Sequence, residues 1–448
     1  MTMRLAEPFT VDRDALAARY LRVRARSRAL FDVLTDAAYY ARPIALRHPI
    51  VFYEGHLPAF SFNTVVKKAL GGRSIDERLE QLFARGIDPG EADAVRRPAR
   101  DVWPARDVVR GFVEEADRRV LAVLEREELD RPGHPLLNRM EAVFAILEHE
   151  AMHQETLLYM WHRLPFDQKR KPSGYVPRVD GSVPAAGTLL VPAGRATLGV
   201  DPAAVPFAWD NECPSFVVDV PAFAIERHDV TNEAFLEFVD AGGYADPQWW
   251  RPDDWAWIQQ ERVTHPLFWQ REAGGWQWRG MFDLIALPPA WPVYVSHAEA
   301  SAFCRWRGVR LPTEAEFQRA AYGTPERTER NYPWGSSDAT THRGVFDFTS
   351  WDPEPAGSHP QGASAWGVED LVGNGWEWTS TPFAPFPGFT PMASYPEYSA
   401  DFFDEEHFVM KGASPATASE FLRPSFRNWF RARYPYVYAT FRGVEDVR

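Results

Sequence analysis

At 448 residues the chain is too long for one ordinary domain, and two or three are expected. A net charge of −13 argues against nucleic acid or an anionic membrane as the main partner, and two cysteines, Cys213 and Cys304, cannot build a disulfide framework and fit a reducing compartment. The charged N-terminal stretch has no signal-type apolar core, and no run approaches the roughly 20 apolar residues of a membrane span, so a cytoplasmic protein is expected.

Residues 10–168 read as a helical bundle. Segments 15–34, 73–86, 105–129 and 138–164 repeat apolar residues at three- and four-residue spacing, with Pro and Gly in the breaks. Such a bundle can house a site between facing helices. A Pro- and Gly-containing linker is expected over 169–186. From 187 to 448 the texture changes to short β-type runs (188–194, 215–225), two helices (231–243, 297–308) and much irregular chain. All but Trp103 and Trp161 of the 18 tryptophans lie in this half, where large aromatics are expected to supply the burial that long ladders would otherwise organise. The fold class expected is an α bundle followed by an irregular α+β domain.

The stretch LEHEAMHQE, residues 147–155, contains H-E-x-x-H. On a helix His149 and His153 share a face and can grip one ion. They continue a stripe of Ala142, Ile146, Leu157 and Met160, so the pair points into the bundle. A hydrogen-bonded buried histidine pair is the alternative. A zinc peptidase would need Glu150 as general base and a third ligand downstream, but Tyr159 stands where the metzincin extension has its histidine. Glu150 and Glu155 also lie off the histidine stripe, which suggests solvated or supporting roles. The better third ligand is upstream, His56 in HPIVFYEGHLPAFSFN, where an unpaired imidazole would be costly. His48, beside Arg47 and Pro49, is the rival. Three neutral imidazoles suit Zn, Fe, Cu or Ni alike.

The order of marks along the chain is more specific than any one of them. Gly55-His56 and the HExxHQE run precede Val230-Thr231-Asn232, Arg310-Leu311-Pro312-Thr313-Glu314, Gly373-Asn374-Gly375-Trp376-Glu377-Trp378 and Arg427-Asn428-Trp429. Over about residues 15–448 this resembles the sulfoxide synthases of ergothioneine biosynthesis, the EgtB family, which join a DinB-like helical bundle to a formylglycine-generating-enzyme-like domain. The resemblance implies iron(II) on His56, His149 and His153, O₂ as co-substrate and hercynine (Nα-trimethylhistidine) as substrate. It also implies a tyrosine that supplies a proton or hydrogen atom. SYPEYS offers Tyr395 for that role and Tyr398 for the substrate pocket; the alternative is a pair of amphipathic surface tyrosines. Whether the second domain holds a structural calcium is left open.

Departures from the family pattern bear on the chalcogen donor. Family members that use γ-glutamylcysteine follow RNW with Asp and then an Arg pair, charges that fit a peptide donor. Here Phe430 stands for the Asp and Tyr434-Pro435 for the Arg pair, with the register fixed by Phe441-Arg442. Neutral aromatics suit a sugar, and Trp429 and Phe430 can hold a quaternary ammonium by cation–π attraction worth about 0.5–2 kcal/mol per contact. Met152, where the family has Gln, cannot donate a hydrogen bond to the hercynine carboxylate. Arg427 and Asn428 complete the expected substrate set. These departures resemble the selenoneine-synthase branch, which couples hercynine to a 1-seleno-sugar; the alternative is a C–S synthase with a thiol donor, cysteine or γ-glutamylcysteine. Arg96 and Arg97 could still serve a charged donor or be ordinary solvated charges. A binding module without catalysis would not need the three histidines. A formylglycine-generating oxidase would need a close cysteine pair late in its domain, which Cys213 and Cys304 do not provide.

Overall fold

The computed structural model describes residues 12–84 and 103–447, and Asp12 opens its first helix. The Asp12 side chain accepts the Ala15 N–H at 3.0 Å, satisfying one of the donors a helix start leaves unpaired, and α1 runs from Arg13–Asp32. Helix α2 (Ile50–Ser61) buries every residue except Glu54, carries Pro58 inside, and continues as a π-type helix over Phe62–Ala69. Pro58 lacks the N–H that would bond one turn back, and wide helical turns recur at functional sites. Periodicity does not reveal α2, because a helix buried all round has no polar face to mark its turn.

Three further helices complete the first unit: α3 (Glu77–Leu82), α4 (Arg106–Arg126) and α5 (Glu141–Arg163). The stripe Val109, Phe112, Val113, Ala116, Val120 and Leu124 of α4 is buried at the spacing expected from the sequence. Helix α1 packs on α4 and α5, and α2 on the same two. Two segments from later in the chain, Pro202–Phe207 and Met392–Pro396, cluster with these helices. Phe207 stacks on Phe144 of α5 with ring centroids 5.8 Å apart. The core gathers Leu16, Phe62, Val65, Val120, Met140, Val143 and Leu147. Each such side chain stabilises the fold by about 1.5–3 kcal/mol before entropy is charged against it.

The second unit comprises Lys171–Asp201, Ala208–Pro391 and the chain from Glu397 onward. No regular element occupies residues 171–187. Strands β1 (Thr188–Val191), β2 (Gly194–Leu198), β3 (Phe216–Val220) and β4 (Phe223–Glu226) are followed by α6 (Asn232–Asp240) and α7 (Pro252–Glu261). Then come β5 (Trp269–Glu272), β6 (Gly275–Arg279), β7 (Leu284–Ala286), α8 (His297–Arg307) and α9 (Glu314–Tyr322). The chain ends with β8 (Gly375–Pro382), β9 (His407–Ala413), β10 (Asn428–Arg431), β11 (Ala439–Thr440) and β12 (Val444–Asp446). They form small sheets ordered β1-β4-β12, β10-β9-β8-β11, β2-β3 and β5-β6-β7. Helices α7 and α9 are additions to the sequence reading. Both had local signals: Pro252 opens α7, and Thr313 and Glu316 form a reciprocal capping box on α9.

Trp209, Trp278, Trp291, Trp376 and Trp378 are fully buried, so the aromatics do supply this core. The family marks turn out to be its frame. Thr231 caps α6, accepting the Ala234 N–H at 3.3 Å. Glu314 and Arg427 form a buried two-pronged pair at 2.8 and 3.1 Å. Glu377 and Arg442 do the same at 2.6 and 2.8 Å, and Asp229 adds a third bond to Arg442 at 2.9 Å. Among the described residues no helix is long and apolar enough to cross a membrane.

Candidate metal centre

Helix α5 places His149 and His153 one turn apart, and their Nε2 atoms lie 3.2 Å from each other. His56 joins them from α2, its ring centroid 5.1 Å from His149 and 5.0 Å from His153. One ring nitrogen from each of the three falls within 4.8 Å of the others. Among the described residues no second group of three or more His, Cys, Asp or Glu side chains converges in this way. His48 lies outside the group and stacks on Phe52 at 4.1 Å.

The proton on His56 is fixed by its surroundings. Nδ1 sits 2.7 Å from the Phe83 carbonyl, which can only accept, so Nδ1 carries the hydrogen and Nε2 presents its lone pair. That Nε2 is buried with no protein partner. Burial pushes His56 down to about 4, with the Phe83 carbonyl pulling the other way. Burial, then the charges of His153 and His56, holds His149 well below its ordinary value. His153 keeps some exposure, yet burial is again the first cause of its depression, followed by His56, Arg47 and His48. All three imidazoles are therefore neutral near pH 7, the form that ligates. Neutral nitrogens and an orphaned, inward-facing lone pair fit a divalent transition metal; their chemistry alone does not choose which.

Aromatic rings wall the triad. Phe52, His56 and Phe60 recur every four residues on α2, with Phe52 stacked on His56 at 4.9 Å and Phe60 on His149 at 3.6 Å. The sequence reading did not single out Phe52 or Phe60, although their spacing from His56 was visible. Tyr395 enters this unit with segment Met392–Pro396, its ring 6.0 Å from His149 and 5.2 Å from Phe60.

Of the two roles left open for Glu150, solvated or supporting, the structure gives the supporting one: the residue is buried. Its Oε1 accepts from Arg24 Nη1 at 2.7 Å and from Ser27 at 2.5 Å. Arg24 also donates to Asp117 at 2.7 Å, and Tyr20 donates to the same oxygen. Burial works against the Arg24 charge, but Glu150 and Asp117 outweigh it and raise its pKa. The carboxylate of the H-E-x-x-H run thus faces α1, away from any role as a water-activating base. Glu155 is buried as well.

The remaining expected residues, Met152 apart, belong to the second unit. Tyr398 stacks on Trp209 at 4.0 Å and meets Trp429 edge-on at 5.2 Å. Trp429 lies flat on Phe383 at 4.2 Å. Phe430 stacks on Tyr434 at 5.1 Å, two neutral rings where charges were the alternative. Asn428 opens β10, its Oδ1 accepting the Trp429 N–H at 2.9 Å. Arg427 has its fork on Glu314 and its Nη1 on the carbonyls of Asn211 and Ala384, which makes it a frame residue. Met152, on α5, is partly exposed. Arg96 and Arg97 lie outside the described residues. Burial pushes the Cys213 thiol up to about 12 and holds Cys304 well above the ordinary thiol range, so neither is poised as a thiolate.

Comparison with known proteins agrees with this architecture. Residues 19–157 match the DinB superfamily, and residues 176–447 match the Sulfatase-modifying factor enzyme 1-like domain family. The hercynine oxygenase of Mycolicibacterium smegmatis is 40% identical over 67% of this chain and 71% of its own. That of Mycobacterium tuberculosis is 34% identical over 96% of this chain and 98% of its own. Ergothioneine biosynthesis protein 1 of Neurospora crassa is 27% identical over 91% of this chain and 55% of its own. Matched along nearly its whole length to such a relative, this chain belongs to the hercynine oxygenase family.

Proposed function

We propose that the chain is an O₂-dependent oxygenase that holds iron(II) on His56, His149 and His153 and joins a chalcogen to the imidazole C2 of hercynine. The observation that carries this reading is the converging neutral triad with its orphaned His56 Nε2. When bound, iron(II) supplies O₂ activation and the electron transfer that oxidative bond formation needs. Phe52 and Phe60 cover imidazole faces and exclude water. The Tyr395 phenol holds the proton or hydrogen atom that the bond-forming step exchanges. Trp429 and Tyr398 are assigned to hercynine's quaternary ammonium, Asn428 and Met152 to the rest of that substrate, and Phe430 and Tyr434 to the donor.

The donor assigned here is a 1-seleno-sugar, with selenoneine as the product. The stacked pair Phe430–Tyr434 supports it, because flat neutral rings suit a sugar and offer no charge to pair with a peptide's carboxylates. The second reading, a thiol donor and C–S bond formation, is supported by the names of the relatives. A product assay separates the two. Iron-loaded protein, hercynine and O₂ are mixed with a 1-seleno-sugar, its thio-analogue or γ-glutamylcysteine, and products are read by mass spectrometry. Product chiefly with the seleno-sugar is expected. Efficient coupling of γ-glutamylcysteine would return the chain to sulfur chemistry, and no product from any donor would remove the oxygenase reading.

The support behind His56 gives a second test. A Cβ on Gly55 would lie 2.5 Å from the Phe83 ring, so that ring must be displaced beside the carbonyl that holds His56 Nδ1. Glycine to alanine inside a helix ordinarily stabilises by about 1 kcal/mol. Here the sign reverses, and Gly55→Ala is expected to weaken iron(II) binding about tenfold by chelator competition. Unchanged affinity would show that the Phe83 carbonyl does not orient the ligand.

A further inference from the structure

Helix α5 begins in an unusual way. Arg139 and Met140, neither a glycine, both take left-handed backbone (φ 54° and 57°) immediately before Glu141. Two such residues in succession persist only where the surroundings over-determine them. The surroundings do so here. The Arg139 N–H donates to Asp130 at 2.8 Å, and the Ala142 N–H donates to the Leu136 carbonyl at 2.9 Å. What the turn gains is reach toward two remote segments. The Arg139 guanidinium donates to the carbonyls of Pro202 and Val205, the latter at 2.7 Å. Glu141 Oε1 accepts the backbone N–H of Ser394 at 2.9 Å.

Ser394 immediately precedes Tyr395, so this bond fixes the backbone from which the tyrosine ring approaches Phe60 and His149. One helix therefore carries two of the metal ligands and the anchor of the tyrosine. A carboxylate in a first turn is also favoured by the helix dipole, and an ionised acceptor holds a loop amide more strongly than a neutral one. We propose that Glu141 is a positioning residue: through the Ser394 amide it sets Tyr395 against the His149 side of the site and so controls turnover and product pattern. The inference rests on the reading of Tyr395 as proton or hydrogen-atom donor.

The test combines a structural and a kinetic readout on the full, iron-loaded chain. In Glu141→Ala, amide exchange over residues 392–396 should rise about tenfold or more, as expected on loss of a charged acceptor, with iron content unchanged. The same variant should lower kcat about tenfold with KM for hercynine nearly unchanged, and shift the product pattern toward that of Tyr395→Phe. Glu141→Gln keeps an acceptor oxygen and should restore most of both. Should Glu141→Ala not fold, Ser394→Pro removes the same hydrogen bond from the other side. Unchanged exchange in Glu141→Ala overturns the anchor. Raised exchange with wild-type kcat and products, while Tyr395→Phe alters them, overturns the positioning role. A wild-type profile in Tyr395→Phe itself sinks the donor reading, and this proposal with it.

Discussion

Replacing His149 with alanine should lower the affinity of the protein for iron(II) at least a hundredfold, whereas His48→Ala should retain the metal. Loss of a single supporting hydrogen bond around a metal ligand costs about 10–100-fold, and loss of the ligand itself removes one of three bonds outright. His149 is the more telling choice, since its Nε2 lies 3.2 Å from that of His153 and its ring is pressed on Phe60. Truncation opens a void beside Phe60 and costs about 2–3 kcal/mol, within the about 5–15 kcal/mol that holds a typical fold. The fold should therefore survive, and circular dichroism should show it. Iron measured after desalting then decides: a stoichiometric complement in His149→Ala would sink the ligand assignment, and loss in His48→Ala would reopen the rivalry.

Much of this site was legible because helical spacing is simple geometry. His149 and His153 had to share a face, and the pair had to point inward if the stripe of Ala142, Ile146, Leu157 and Met160 was buried, as it is. The same reasoning could not choose between a solvated and a supporting Glu150, because it treated α5 as having one buried face. In fact the helix is buried on nearly every side, and Glu150 meets a buried arginine from α1, 126 residues earlier in the chain. Nothing local in the sequence announces such a partner. Helix α2 was hidden for a related reason: uniform apolarity gives no period. The approach of Tyr395 to His149 was expected from resemblance, but its physical means, a carboxylate holding the preceding amide, depends on a contact 253 residues apart in sequence. The second half shows the converse. Its marks were conspicuous as words in the sequence, yet Glu314, Glu377, Arg427 and Arg442 have their charges turned on one another in the core. Those marks report how the domain is framed, while the stacked neutral rings of Phe430 and Tyr434 are what bears on the donor.

Glu150 offers the sharpest contrast between a residue that reacts and one that holds. Were it the base of a zinc peptidase, exchange for glutamine would abolish activity and leave the fold untouched. The geometry demands the reverse order of severity. Glu150→Ala strands Arg24 in the core with only Asp117 to answer it, and removal of one partner from a buried pair costs about 3–5 kcal/mol. Ser27 loses its acceptor at the same stroke. Because α5 carries both His149 and His153, a loosened α1–α5 contact should also loosen the metal, so iron retention should fall along with stability. Glu150→Gln keeps an oxygen for Arg24 and Ser27 and gives up only the charge, so its cost should be about 1–2 kcal/mol, with iron binding and turnover close to wild type. Thermal unfolding, iron content and turnover measured on the three proteins together settle the matter. A glutamine variant as stable as wild type but dead would return Glu150 to the chemistry. An alanine variant crippled in stability beside a working glutamine variant would leave it where the hydrogen bonds put it, as the strut that sets the pitch of the helix carrying His149 and His153.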